Sequence, residues 1–301
     1  MHNLALLVLC FAAGVMLRRS GRVPENGHAA LNAVIIHLSL PALILLHLQR
    51  APLGADVFAA AAIAWALFGL AAVFFLAAGR VMRLAPGTVG ALTLTAGLAN
   101  TSFVGIPMIE AFYGRGGVAL GLIIDQLGSY LALATMGILV AALYAGGKPC
   151  PRALARRIAT FPPLIAVVAA FALRPFEYPD WLTAVLARLG DTLAPLALAS
   201  VGMQLRLADV NGYRVKLALG LAFKLVLAPA VLVAAWSAAF SIDGMHTRII
   251  LFEAAMAPMI GGAIVAAEHK LDPPLTALMV GVGIPLSFLT VPAWWWVLER
   301  L

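Results

Sequence analysis

Long stretches of this chain are apolar on every side of any regular backbone, and polar positions fall in short interruptions between them. Segments such as LALLVLCFAAGVML and VLVAAWSAAF show neither the alternation of a half-buried strand nor the one-sided stripe of a surface helix. Apolar windows of about 20 residues suit helices that cross a hydrocarbon core. Ten fit the chain, at about 3–18, 31–48, 56–79, 87–112, 117–145, 158–173, 179–204, 214–239, 247–268 and 272–297. The period-2 pattern of a membrane barrel is absent. The fold class expected is an all-α polytopic membrane protein of ten transmembrane helices, with no length left for a water-soluble domain.

One stretch departs from this pattern: LANTSFVGIPMIEAFYG, residues 98–114. Asn100, Thr101 and Ser102 adjoin inside span four, and the helix breaker Gly105-Ile106-Pro107 follows. A proline within a helix removes an amide donor and crowds the preceding turn. Lipid supplies no replacement, so broken backbone at membrane depth survives only against protein or a water-filled cavity. Span four is therefore expected to be discontinuous and internal. Span nine repeats the feature in AAMAPMIGGAIVA around Pro258. On one span a simple proline kink, with Asn100 and Thr101 bonded back to their own helix, would also serve. Matched breaks in two spans favour a site.

The basic loop GGKPCPRALARR, residues 146–157, separates two sets of five spans, 1–145 and 158–301. The sets echo each other. Pro41 in HLSLPALILL corresponds to Pro195 in TLAPLALASVG, Pro107 to Pro258, and Ser129 to Ser287, at offsets of 154, 151 and 158 residues. Copies with an odd number of spans enter the membrane in opposite orientations, so the expectation is an inverted repeat with crossed discontinuous helices four and nine, as in secondary transporters. Half-helices starting near the midplane at Pro107 and Pro258 would present free amides and a positive dipole end. Asn100 adds an amide donor, and Thr101 and Ser102 add hydroxyls. These groups suit a carboxylate better than a cation or an apolar solute. The expected substrate site comprises Asn100, Thr101, Ser102, Gly105 and Pro107 from the first half and Met256, Pro258, Gly261 and Gly262 from the second.

Composition agrees: 63% of residues are hydrophobic and 11% charged, against about 45–50% and about 25% in a soluble domain. The net charge of +7 would suit nucleic acid, but its distribution argues otherwise. Odd-numbered loops hold thirteen basic residues, Arg18, Arg19, Arg22, Arg80, Arg83, Lys148, Arg152, Arg156, Arg157, Arg206, Arg214, Lys216 and Lys270, whereas even-numbered loops and the C-terminus hold five. By the positive-inside rule the odd loops are cytoplasmic and both termini extracytoplasmic. No basic residue precedes the first apolar run, so it reads as a retained helix and not a cleavable signal. Cys10 is expected in the first span and Cys150 in a cytoplasmic loop, which leaves neither a disulfide framework nor a metal cluster, and the six histidines lack metal-ligand spacing. No metal, cofactor or nucleic-acid partner is expected.

The stretch LANTSFVGIPMIEAFYG resembles the fourth-span signature of the auxin efflux carrier family, with its NT…GIP pattern and tyrosine-glycine turn. APLALASVGMQL resembles that family's seventh span, and AAMAPMIGGAIVAAEHKLDPPLTALMVGVGIPLSFLTVPAWW its ninth and tenth. The resemblance covers essentially the whole chain. It implies a fold like that of the bile-acid sodium symporters, with spans one, two, six and seven as a scaffold and spans three to five and eight to ten as a moving transport domain. It implies that Asn100 contacts a substrate carboxylate at the crossover of Pro107 and Pro258, and a homodimer through the scaffold helices. Lacking a long central loop, the chain is similar to the short bacterial branch, for which dicarboxylates such as malonate are implied substrates.

Ionisable residues inside spans are costly, by roughly 2.5–3.5 kcal/mol each on insertion scales. Asp125, with Gln126 and with Ser129 one turn on, is a candidate site for a coupling proton or sodium ion; hydration at the outer interface or a pair with Arg115 is the alternative. Glu253 is a second coupling candidate, a role the symporter fold implies for span nine, or a partner of Arg248. Glu110 reads as a helix N-terminal acid, and Lys224 as a side chain snorkelling to the cytoplasmic face. His37 and His47 read as packing residues, and Trp294, Trp295 and Trp296 as an interfacial anchor. The function expected is secondary transport of a small organic anion, a mono- or dicarboxylate, across the plasma membrane by alternating access. A channel, a sensor and an intramembrane enzyme are the alternatives.

Overall fold

The computed structural model describes residues 2–51, 56–146, 151–204, 210, 212–240 and 242–301. Lys148, Cys150 and Arg206 lie outside the described residues, as do positions 147–150 of the central basic loop as a whole. Among those described, every regular element is a helix. In chain order they are α1 (His2–Arg19), α2 (Gly27–Leu48), α3 (Asp56–Val81), α4 (Pro86–Ala96), α5 (Ile106–Tyr113), α6 (Arg115–Tyr144), α7 (Pro151–Ala159), α8 (Pro162–Ala172), α9 (Asp180–Gln204), α10 (Arg214–Ala239), α11 (Gly244–Ala254), α12 (Ile260–Glu268) and α13 (Pro273–Leu298). Six of these, α2, α3, α6, α9, α10 and α13, contain single stretches long and apolar enough to cross a membrane. The molecule is a multi-pass helical membrane protein. Of the remaining windows, 3–18 coincides with α1, 158–173 contains the 11-residue α8, and 87–112 and 247–268 are each broken in two.

Prolines explain much of this segmentation. At Pro86, Pro162 and Pro273 they open helices, where a missing amide costs nothing. Inside helices, Pro41, Pro107 and Pro229 each follow a wider π turn, at Ile35–Ser39, Thr101–Gly105 and Phe223–Leu227. The looser register accommodates a residue that cannot donate. The carbonyl of Leu225, which a regular helix would bond to the amide that Pro229 lacks, accepts the indole N–H of Trp294 at 2.8 Å. Trp294, expected as part of an interfacial anchor, therefore also serves the interior. Trp296, beneath the guanidinium of Arg300 at 3.5 Å, remains half exposed.

The break in the first half lies earlier than the glycine-proline motif suggests. Helix α4 ends at Ala96, residues 97–100 are irregular, and helical backbone resumes at Thr101 and runs through Pro107 into α5. The π turn absorbs Pro107, so the proline does not interrupt the chain; Asn100, with non-helical backbone at the N-cap (φ −80°, ψ 72°), does. The facing break spans 255–259, between α11 and α12, and does contain Pro258. The two breaks join as an antiparallel bridge between Ala99 and Pro258. Asn100 N–H donates to the Ala257 carbonyl at 2.9 Å, and Met259 N–H to that of Thr95 at 3.3 Å. Backbone groups released by one break are thus taken up by the other, which lipid could not do.

Around this crossing the helices pack in two sets. In one, α1 lies on α9, with Gly14 against the Ala199 carbonyl and Gly202 against that of Phe11, and α2 lies on α8 and α9. Small residues let these backbones approach closely. In the other set, α4 is flanked by α3, α12 and α13, while α11 contacts α3, α6, α10 and α13. Large apolar side chains such as Phe58, Val73 and Leu289 face outward, and Asn100, Asp125, Lys224 and Glu253 are buried.

Candidate functional site

A cavity of about 200 Å³ lies where α2 faces the crossing. Its polar end is formed by Asn100, Thr101 and Ser102 at the first break, Asp125 and Gln126 from α6, and Gly261 at the start of α12. Its apolar walls include Leu40, Leu133 and Ile264. Phe161, just before α8, stacks on Tyr130 of α6 with ring centres 3.8 Å apart and planes 9° from parallel, and both rings line the cavity.

Asn100 is only 2% exposed. Its Oδ1 accepts the Phe103 N–H at 3.2 Å, capping the resumed helix, while its Nδ2 is buried with no partner. The neighbouring hydroxyls are engaged: Thr101 Oγ1 and Ser102 Oγ both donate to Asp125 Oδ1 at 2.5 Å, and Gln126 Nε2 donates to Oδ2 at 2.6 Å. Three donors converge on one buried carboxylate, and Thr101 and Ser102 are directed at Asp125, not at the cavity as free donors. Arg115 is bound elsewhere, to Asp191 at 2.8 Å and Glu110 at 3.3 Å. Ser129 Oγ and Gln126 Oε1, both buried, lack partners.

Glu253 stands behind this network in the last turn of α11, 1% exposed. Its carboxylate lies against Gly105, where an added Cβ would come within 2.5 Å of both oxygens, and beside Gly121. Neither oxygen has a hydrogen-bond partner, because Arg248 pairs with Glu299 at 2.8 Å. Lys224 does not snorkel. It is fully buried, and its Nζ donates to the Ala254 carbonyl at 3.0 Å.

Of the residues expected to bind substrate, Asn100, Thr101, Ser102 and Gly261 line the cavity. Gly105 is covered by Glu253, and Gly262 presses on the Leu94 carbonyl with no room for a Cβ. Met256 and Pro258 are within the second break, Met256 wholly buried. Pro107 borders a separate hollow of about 230 Å³ with Glu110, Arg115 and Asp191. Asp125 and Gln126 reach the main cavity; Ser129 and Glu253 do not line it. Sequence reasoning missed Tyr130 and Phe161, ordinary aromatics in an apolar chain. It misjudged Lys224, whose signal was depth: ten residues beyond Arg214 is about 15 Å of helix, half of a core about 30 Å thick. Among the described residues no cluster of His, Cys, Asp and Glu has the makings of a metal site.

The sequence matches the family described as membrane transport protein over residues 1–295. It is 26% identical over 294 residues to an uncharacterised transporter of Methanothermobacter thermautotrophicus, covering 97% of this chain and 95% of that protein. It is 22% identical over 308 residues to an uncharacterised transporter of Methanocaldococcus jannaschii, covering 99% and 98%.

Proposed function

The chain belongs to the membrane transport protein family, which takes in the auxin efflux carriers, and from that premise we propose that it is a secondary carrier, and not an enzyme, moving a small organic anion across the plasma membrane by alternating access. The observation that carries the anion is Asn100 Nδ2, a buried donor without an acceptor on a residue that lines the cavity. A buried donor left unpaired costs about 1–3 kcal/mol, which an acceptor on the substrate recovers. Helix α12 begins beside it with no side-chain cap, so its first amides and dipole favour the same charge. The apolar walls suit a short carbon skeleton behind the carboxylate.

Asp125 faces the same cavity, so an anion enters comfortably only when that acid is neutral. A proton or a sodium ion taken up with the substrate does this, which makes the Asp125 network the coupling site, with Gln126, Ser129 and Glu253 around it. The paired breaks and the two packing sets support a ten-span inverted repeat, in which α1, α2, α8 and α9 form a scaffold and the other spans carry the site past it. The cytoplasmic side is that of the odd loops, with both termini outside.

Thermal shift of the purified protein against a panel of mono- and dicarboxylates including malonate, with and without sodium and at two pH values, followed by uptake and counterflow of the best ligand in proteoliposomes, tests this. Stabilisation by a carboxylate together with counterflow is expected. Conduction without counterflow would mean a channel, and binding without transport a sensor; either overturns the carrier.

A further inference from the structure

Lys224 sits halfway along α10 with none of its surface exposed, and the anion site described above makes no use of it. Its ammonium bonds the Ala254 carbonyl in the last turn of α11. That helix stops at the break, where carbonyls lose their helical partners and the dipole end is negative. One residue back, Glu253 is as deeply buried, with both carboxylate oxygens unpartnered. It lies within electrostatic reach of both Lys224 and Asp125. Of the other charges on α11 and the elements packed against it, Arg248 is committed to Glu299, Arg115 to Asp191 and Glu110, and Lys216 to Asp272, while Arg80 and Arg214 are exposed at helix ends. Among the described residues the interior therefore holds two acids and one base, Asp125, Glu253 and Lys224. A buried charge without a counter-charge is costly by several kcal/mol, so one acid is balanced from within and one is not.

We propose that Lys224 is a tethered internal cation of the transport site, permanently balancing Glu253 and bracing the broken end of α11, so that Asp125 alone needs a travelling monovalent cation in each cycle. The assignment of partners follows from attachment. Lys224 bonds the residue next to Glu253, whereas Asp125 already holds three hydrogen-bond donors on the cavity side and opens toward the substrate. The consequence is a fixed ratio of one proton or sodium ion per anion. That consequence rests on the carrier reading; the pairing of Lys224 with Glu253 does not.

The test reads the unfolding midpoint of the whole protein in detergent, in sodium against choline and at two pH values, with Asp125→Asn as the background so that its own cation does not mask the result. Asp125→Asn alone is expected to respond to neither cation. Adding Lys224→Met exposes Glu253, and the midpoint should then rise by several degrees with sodium, or with falling pH alone if the ion is a proton. Adding Glu253→Gln should abolish that response. A midpoint that stays indifferent to cations after Lys224→Met, or a response that survives Glu253→Gln, overturns the proposal. Should Lys224→Met fail to fold, Lys224→Met/Glu253→Gln replaces it: recovery of a folded protein supports the pairing, and failure while Glu253→Gln alone folds overturns it. No substrate is used, so a failed carrier reading, seen as absent carboxylate uptake, is told apart from a failed pairing.

Discussion

Asn100 divides its amide between two tasks. The oxygen caps the helix that restarts at Thr101, and the nitrogen is left buried without a partner beside the cavity that the residue lines. Serine caps a helix about as well as asparagine but cannot extend a second donor to the same place. Asn100→Ser should therefore keep the unfolding midpoint close to that of the unaltered protein while weakening carboxylate binding about tenfold to a hundredfold, the equivalent of one hydrogen bond to a charged group. Unchanged affinity in a ligand titration would remove Asn100 from the site. Thr101 and Ser102 stand differently, because their hydroxyls hold Asp125. Their loss is expected to alter the cation requirement before it alters affinity for the anion.

At the scale of elements, the crossing is what makes broken helices tolerable. Two irregular segments exchange backbone hydrogen bonds, and Gly262 allows the approach by giving α12 no side chain where it meets the Leu94 carbonyl. The obstacle there is backbone, which cannot rotate aside. Gly262→Ala should destabilise by about 1–3 kcal/mol, as overpacking does in well-filled cores, read as a lowered unfolding midpoint. Gly105→Ala makes an instructive contrast, since the atoms in its way are the ends of the flexible Glu253 side chain. The sequence placed an interruption in both elements correctly but drew the first at its proline. A proline marks a missing donor, and whether the chain breaks there or widens into a π turn depends on which carbonyls and amides neighbouring helices can offer.

For the whole molecule, the contact between Arg115 at the start of α6 and Asp191 within α9 ties the two packing sets together at one rim of the bundle. With these side chains 65% and 51% exposed, the pair contributes no more than about 1 kcal/mol to stability, and its removal should leave the unfolding midpoint nearly unchanged. Its value as a reporter is greater. If the two sets move past each other, joining them stops transport. With Cys10 and Cys150 replaced, an Arg115→Cys/Asp191→Cys pair cross-linked by an oxidant should lose proteoliposome uptake and regain it on reduction. Full activity while cross-linked would argue against movement at this contact.

The sequence alone determined the membrane class, because 63% apolar residues in helix-length windows leave a chain no other solvent, and it determined that polar residues and prolines set deep in such windows must be interior. Family membership followed from the same stretches. Only the tertiary structure decided which groups meet: that Thr101 and Ser102 serve Asp125, that Arg115 and Arg248 are paired elsewhere, that Trp294 reaches Leu225, and that Lys224 ends on α11 and not at the membrane surface. The physical reason is range. Hydropathy is summed along the chain and can be read from it, whereas a hydrogen bond or an ion pair forms between atoms a few ångströms apart that the sequence separates by tens of residues.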